Sequence, residues 1–182
     1  MASSNDSAPP SNLREPYRYI TENRDDGKAF FSQDLSPPLA VVNDLGGALM
    51  RLGYVTGRPP VDLNNNIDVK SYAASLSSPP PLVPPGGGPV VWYIDTPPDS
   101  ASPMHRTVSL DLVIQLEGEI ELTLSGGETR LLKPGDMTVQ RSTAHMWRNP
   151  SLTKWTRMLG VMFECQPVVV DGKTLGAEFP HH

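Results

Sequence analysis

Residues 104–151 read MHRTVSLDLVIQLEGEIELTLSGGETRLLKPGDMTVQRSTAHMWRNPS, and this stretch decides the fold. It divides into short apolar-rich runs: Arg106 to Leu116, Glu119 to Leu124, Glu128 to Leu132, Met137 to Gln140 and Ala144 to Arg148. Between them stand Glu117-Gly118, Ser125-Gly126-Gly127, Lys133-Pro134-Gly135-Asp136 and Arg141-Ser142-Thr143, each a turn signal. Short strands spaced about 8–12 residues apart are the pattern of an antiparallel sandwich or barrel. Outward from this stretch, Pro89 to Ile94 and Trp155 to Phe163 continue it on either side. The predicted class is all-β.

Side chains alternate along a strand, so His105, Thr107, Ser109 and Asp111 share one face. The opposite face carries Arg106, Val108, Leu110, Leu112, Ile114 and Leu116. A polar inner face and an apolar outer one suit a barrel whose interior holds a ligand and whose exterior is covered. The outer row is too long to leave in water. It predicts a homodimer, or cover by the chain's own N-terminal arm.

Upstream the signals are weaker. Tyr17 to Thr21 and Lys28 to Phe31 flank Asp25-Asp26-Gly27 and read as a hairpin. Leu39 to Arg51 is weakly amphipathic, with Gly46-Gly47 counting against a helix. Asp68 is placed to cap a short helix through Leu76, and Ser77 to Pro89 reads as a loop or strap. Its Gly86-Gly87-Gly88 lacks the following Lys-Ser/Thr of a phosphate loop. This divides the chain into a solvated tail (1–16), an arm packed on the barrel (17–88), and the barrel core with a C-terminal extension (89–182).

Composition bounds the function. A length of 182 residues fits one domain, and the net charge of −5 argues against a nucleic-acid binder. No apolar run approaches the ~18 residues of a membrane span. The first residues show no basic and apolar leader, and the single Cys165 reads as a small buried hydrophobe in a reducing, cytoplasmic setting. The terminal His181-His182 pair is set aside as a possible tag remnant.

The strings His105-x-Thr107-x3-Asp111-x6-Gly118 and Gly135-x7-Thr143-x-His145-x3-Asn149 resemble the two motifs of the cupin family. The resemblance spans about residues 89–165 and is closest to small cupins found beside fungal polyketide synthases. Thr107 replaces the first motif's second histidine, Asp111 its Glu, Arg141 the second motif's proline and Thr143 its glycine. The resemblance implies a jelly-roll barrel, often dimeric, with a metal or small-molecule site inside. Carried over by position, it makes His105, Asp111 and His145 the candidate metal ligands and catalytic groups. Two imidazoles and a carboxylate are the set associated with non-haem Fe(II), with Mn(II), Zn(II) or a metal-free site as alternatives.

Around that centre Thr107, Gln115, Arg141 and Trp147 are the candidate substrate contacts. Thr107 would act as a small spacer or hydroxyl and Gln115 and Arg141 as hydrogen-bond donors, with Arg141 also a candidate partner for Asp111. Trp147 either stacks on an aromatic substrate or packs in the barrel. The expected function is a metal-dependent oxidoreductase acting on a small aromatic or polyketide intermediate. The alternatives are a dehydratase, decarboxylase or isomerase using His105 and His145 as acid and base, and a binding module.

Overall fold

The computed structural model describes residues 11–179. Residues 1–10 of the expected tail and the His181-His182 pair lie outside them. Of the tail's described residues, Ser11, Asn12, Arg14 and Glu15 are exposed, while the Arg14 carbonyl accepts from the Arg157 guanidinium at 2.6 Å.

In chain order the elements are β1 (Thr21–Asn23), β2 (Ala29–Phe31), β3 (Asn43–Leu45), β4 (Ala48–Val55), α1 (Ile67–Ser77) and β5 (Val90–Thr96). Then come β6 (Ser109–Glu117), β7 (Ile120–Leu124), β8 (Thr129–Leu132), β9 (Met137–Arg141), β10 (His145–Arg148), β11 (Thr156–Glu164), β12 (Val168–Val170) and β13 (Lys173–Leu175). A six-stranded sheet in the order β3-β4-β5-β11-β6-β9 faces a three-stranded one, β10-β7-β8, with every pairing antiparallel. Val113 and Met158 from the larger sheet meet Ile120, Leu122 and Trp147 from the smaller one in a shared core. At ~1.5–3 kcal/mol for each fully buried large apolar side chain, this interface is a main source of the barrel's stability.

The β1–β2 hairpin forms as read, though its pairing starts at Thr21. Leu39 to Arg51 is not helical. Gly46 and Gly47 take φ of +66° and +103°, which turns the chain between β3 and β4. The arm therefore does more than pack on the barrel, since β4 pairs with β5 inside the main sheet. Helix α1 begins after Asn66, and Asp68 sits in its first turn, where the Tyr54 hydroxyl donates to it. A carboxylate there complements the helix dipole without being the cap. From this helix Tyr72 is wholly buried among Met50, Leu52 and Trp92. The strap over 78–89 is irregular, as expected of its prolines.

Strand β6 shows the predicted alternation. Ser109, Asp111, Val113 and Gln115 are buried, while Leu110 and Leu116 are 38% and 36% exposed on the outer face. N-terminal to Ser109 the strand does not continue. The chain bends at Thr107–Val108, and His105 belongs instead to an isolated bridge with His145. That bend governs the site.

Candidate active site

The backbone N–H of His105 donates to the His145 carbonyl, and that of His145 to the His105 carbonyl, both at 2.9 Å. The two rings consequently lie 4.4 Å apart between centroids. His105 Nδ1 is 2.9 Å from the Pro103 carbonyl, to which it donates, leaving its Nε2 with the lone pair. Phe179 stacks beside this ring at 6.0 Å and 21°, held by ladder bonds between Arg106 and Glu178 and by their 2.7 Å ion pair.

His145 is 4% exposed. Its Nδ1 lies 2.8 Å from the Thr143 carbonyl, an acceptor, and 3.0 Å from the Gln140 amide nitrogen, a donor. Both neutral tautomers of the ring are thereby supported. Burial pushes its pKa down to about 4, with the Thr143 carbonyl pulling the other way and His105 adding to the fall. The ring is neutral at physiological pH. Trp147 meets it edge-on at 5.7 Å and is otherwise part of the barrel core, so of its two expected roles packing is the one the structure displays.

Asp111 is inward and 4% exposed, but it does not join the histidines. In register it stands opposite Gln140 on β9 and Met162 on β11. The Gln140 side chain, bonded to Thr143 and reaching His145, lies between the two groups. Among the described residues no three His, Cys, Asp or Glu side chains gather where an ion could be held. The expected ligand set of His105, Asp111 and His145 is thus split, because the bend at Thr107–Val108 takes His105 off the strand that carries Asp111. Burial raises the Asp111 pKa to about 6, against a smaller opposing pull from the Ser109 hydroxyl. Its Oδ1 and the Ser109 Oγ both lack a hydrogen-bond partner.

The other expected contacts divide. Arg141 is exposed, since the register that turns Gln140 inward turns its neighbour out; it neither pairs with Asp111 nor faces the interior. Gln115 is buried, but its amide nitrogen is committed to the Glu117 and Gly118 carbonyls and to Thr156 Oγ1 at 2.6–2.9 Å. It secures the turn into β7. Thr107 lines an open cleft of 1040 Å³ together with Val108, Phe163, Cys165, Phe179 and residues of the strap, and Phe179 joins this cleft to His105. Cys165 is half-buried in that cleft, not a core hydrophobe. Gln140, Ser109's orphaned hydroxyl and Phe179 are the residues that sequence reading did not single out. Alternation could have found Gln140, whereas nothing local marks Phe179.

The motif's Asn149 is structural. Fully buried, its amide nitrogen lies 2.8–3.1 Å from the carbonyls of Thr96, Pro97 and Lys154, closing the corner between β10 and β11.

Curated relatives match nearly the whole chain. A "Phomopsin biosynthesis cluster protein C'" of Diaporthe leptostromiformis is 43% identical over 176 residues, covering 97% of this chain and 92% of the relative. "Cupin-domain-containing oxidoreductase virC" of Hypocrea virens is 39% identical over 166 residues, covering 90% and 83%. "Cupin-domain-containing oxidoreductase srdB" of Neurospora crassa is 37% identical over 167, covering 92% and 83%. The chain belongs to this family of cupin-domain-containing oxidoreductases.

No family model matches the chain. Among solved structures, a cupin-2 domain from Rhodospirillum rubrum is 13% identical and covers 82% of this cupin and 80% of its own chain at a TM-score of 0.46. In this cupin the inward polar groups of β6, β9 and β10 divide into two neighbouring stations, the paired imidazoles and the Ser109–Asp111 pair.

Proposed function

We propose that this cupin is an oxidoreductase of fungal secondary metabolism whose small aromatic or polyketide-derived substrate binds inside the barrel and gives up a proton to His145. The observation that carries the reading is the His105–His145 pair, in which a neutral, buried imidazole has both tautomers supported and lies 4.4 Å from a second ring tilted at 51° to it. Oxidation of a hydroxyl-bearing aromatic releases protons with its electrons, and a base with its ring nitrogens so placed can take them. His105, with Nδ1 donating to Pro103, presents Nε2 as a second acceptor. The relatives' names supply the class of chemistry and its setting.

A divalent ion, Fe(II) foremost with Mn(II) or Zn(II) as alternatives, would find two imidazoles from this chain and not the carboxylate. The same split ligand set favours a second reading, a dehydratase or isomerase in which the pair moves protons without net redox change.

One experiment separates them: turnover of a panel of phenolic and polyketide-type intermediates, aerobically and then anaerobically after chelation. The oxidoreductase reading expects turnover only with dioxygen present and none in His145→Ala. Full turnover in the anaerobic, chelated sample replaces it with the non-redox reading. No loss in His145→Ala removes the imidazole pair from the chemistry.

A further inference from the structure

We propose that Ser109 and Asp111 form a hydroxyl-binding station inside the barrel, taking an –OH group of the substrate rather than a metal ion. The proposal rests on the barrel interior being the substrate site, and it names what the substrate must carry. Both residues lie on the inner face of β6, two positions apart, at 0% and 4% exposure. Ser109 Oγ and Asp111 Oδ1 are each buried and without a partner.

Ser109 is near enough to pull the Asp111 pKa down and Cys165 near enough to feel its charge, yet neither forms a hydrogen bond to Oδ1, and the other groups around them do not supply one. Gln140, opposite Asp111, has its amide nitrogen directed at Thr143 and His145. Met162, on the other side, has no hydrogen to donate from its side chain. Arg141 faces outward, and Arg106 is paired with Glu178. Burying unpaired polar groups is costly, and two side by side on one strand face mark a place where a ligand supplies the missing bonds.

The chemistry of the pair selects the ligand. The carboxylate accepts only, while the serine hydroxyl has a hydrogen to give and lone pairs to share. A single hydroxyl answers both: its hydrogen goes to Asp111 Oδ1, and its oxygen accepts from Ser109 Oγ–H. An ether has no hydrogen for the aspartate and an anion is repelled by it; an ammonium can donate to both oxygens but accepts nothing from the serine hydrogen. With Gln140 between this station and His145, one hydroxyl is anchored while another part of the substrate faces the imidazoles.

The test is equilibrium binding of phenol and of anisole, its methyl ether, by titration calorimetry on the full chain. Wild-type protein should favour phenol by about tenfold or more, as a hydrogen bond to a charged group does. Asp111→Leu should bring the two ligands to within about twofold, whereas Ser109→Ala, which removes a donor that both ligands' oxygens can use, should weaken both several-fold and keep the preference. Near-UV circular dichroism checks the fold, and the loss of affinity for both ligands in Ser109→Ala carries the test if Asp111→Leu does not fold. His145→Ala should keep the preference while losing turnover, so failure here is distinguishable from failure of the proton-transfer reading. Equal affinity in the wild type, no binding of phenol, a preference that survives Asp111→Leu, or unchanged affinities in Ser109→Ala overturns the station.

Discussion

His145 and Asp111 are both buried, and burial acts on their protons in opposite senses. His145, lowered to about 4, binds fewer protons folded than unfolded between about pH 4 and its ordinary 6.5. Its contribution to stability is therefore present above 6.5 and lost as pH falls through 4. Asp111, raised to about 6 from 3.8, binds more protons folded than unfolded across that interval. Its contribution is present below 3.8 and lost as pH rises through 6. Each effect is roughly 3 kcal/mol, and over about pH 4–6 they nearly cancel. Denaturant unfolding of the wild type should vary little with pH in that window. Asp111→Asn should leave stability rising with pH from 4 to 6.5, and His145→Gln should leave it falling from 4 to 6. Parallel pH profiles for the two variants would show that these groups do not carry the pH dependence.

At the scale of elements, the interruption of β6 does most to shape the site. A continuous strand from His105 would have placed four polar side chains on one face; the bend at Thr107–Val108 gives His105 to β10 and leaves Ser109 and Asp111 with β9 and β11. The strap over 78–89 is held beside this bend. Its Glu164 anchor accepts from the Gly86 N–H at 2.8 Å, and a Cβ on Gly88 would lie 2.1 Å from the Gly57 carbonyl oxygen. Gly88→Ala must therefore move backbone, not a flexible side chain. It should lower stability by about 2 kcal/mol, a fall in Tm of about 4–8 °C for a chain of this size. An unchanged melting temperature would mean that the strap is not seated against residues 56–57.

Over the whole molecule, the outer face of the six-stranded sheet stands out. Leu110 and Leu116 on β6 and Met137 and Val139 on the edge strand β9 are 36–56% exposed, with Leu112 opposite Val139 and Ile114 opposite Met137. Apolar surface so arranged favours association, at ~25 cal/mol for each Å² removed from water. We infer that a second copy of the chain covers this face. Multi-angle light scattering should give a dimer at micromolar concentration, and Leu110→Lys with Val139→Lys should give a folded monomer. A wild-type monomer would refute the inference. The chain's own arm is engaged elsewhere, as β4 pairs with β5 on the far side of the sheet from β9.

By itself the sequence determined the strand pattern, the turns between β6 and β11, and which side chains of β6 face inward. These follow from local rules: alternation along a strand, and the turn preferences of Gly, Pro, Asp and Ser. Cupin membership was legible for the same reason, since the motif residues lie on those strands and turns. Partnership between strands was not. That His105 touches His145 and Phe179, that Gln140 rather than Arg141 stands inside, and that Asp111 is kept from the histidines were decided by register and by one bend. The Leu39 to Arg51 segment likewise yields β3 and the start of β4, because β4 pairs with β5 on one side and β3 on the other. Contacts between residues 29–74 positions apart depend on how ladders close in space, and a shift of one residue in any of them turns every side chain to the other face.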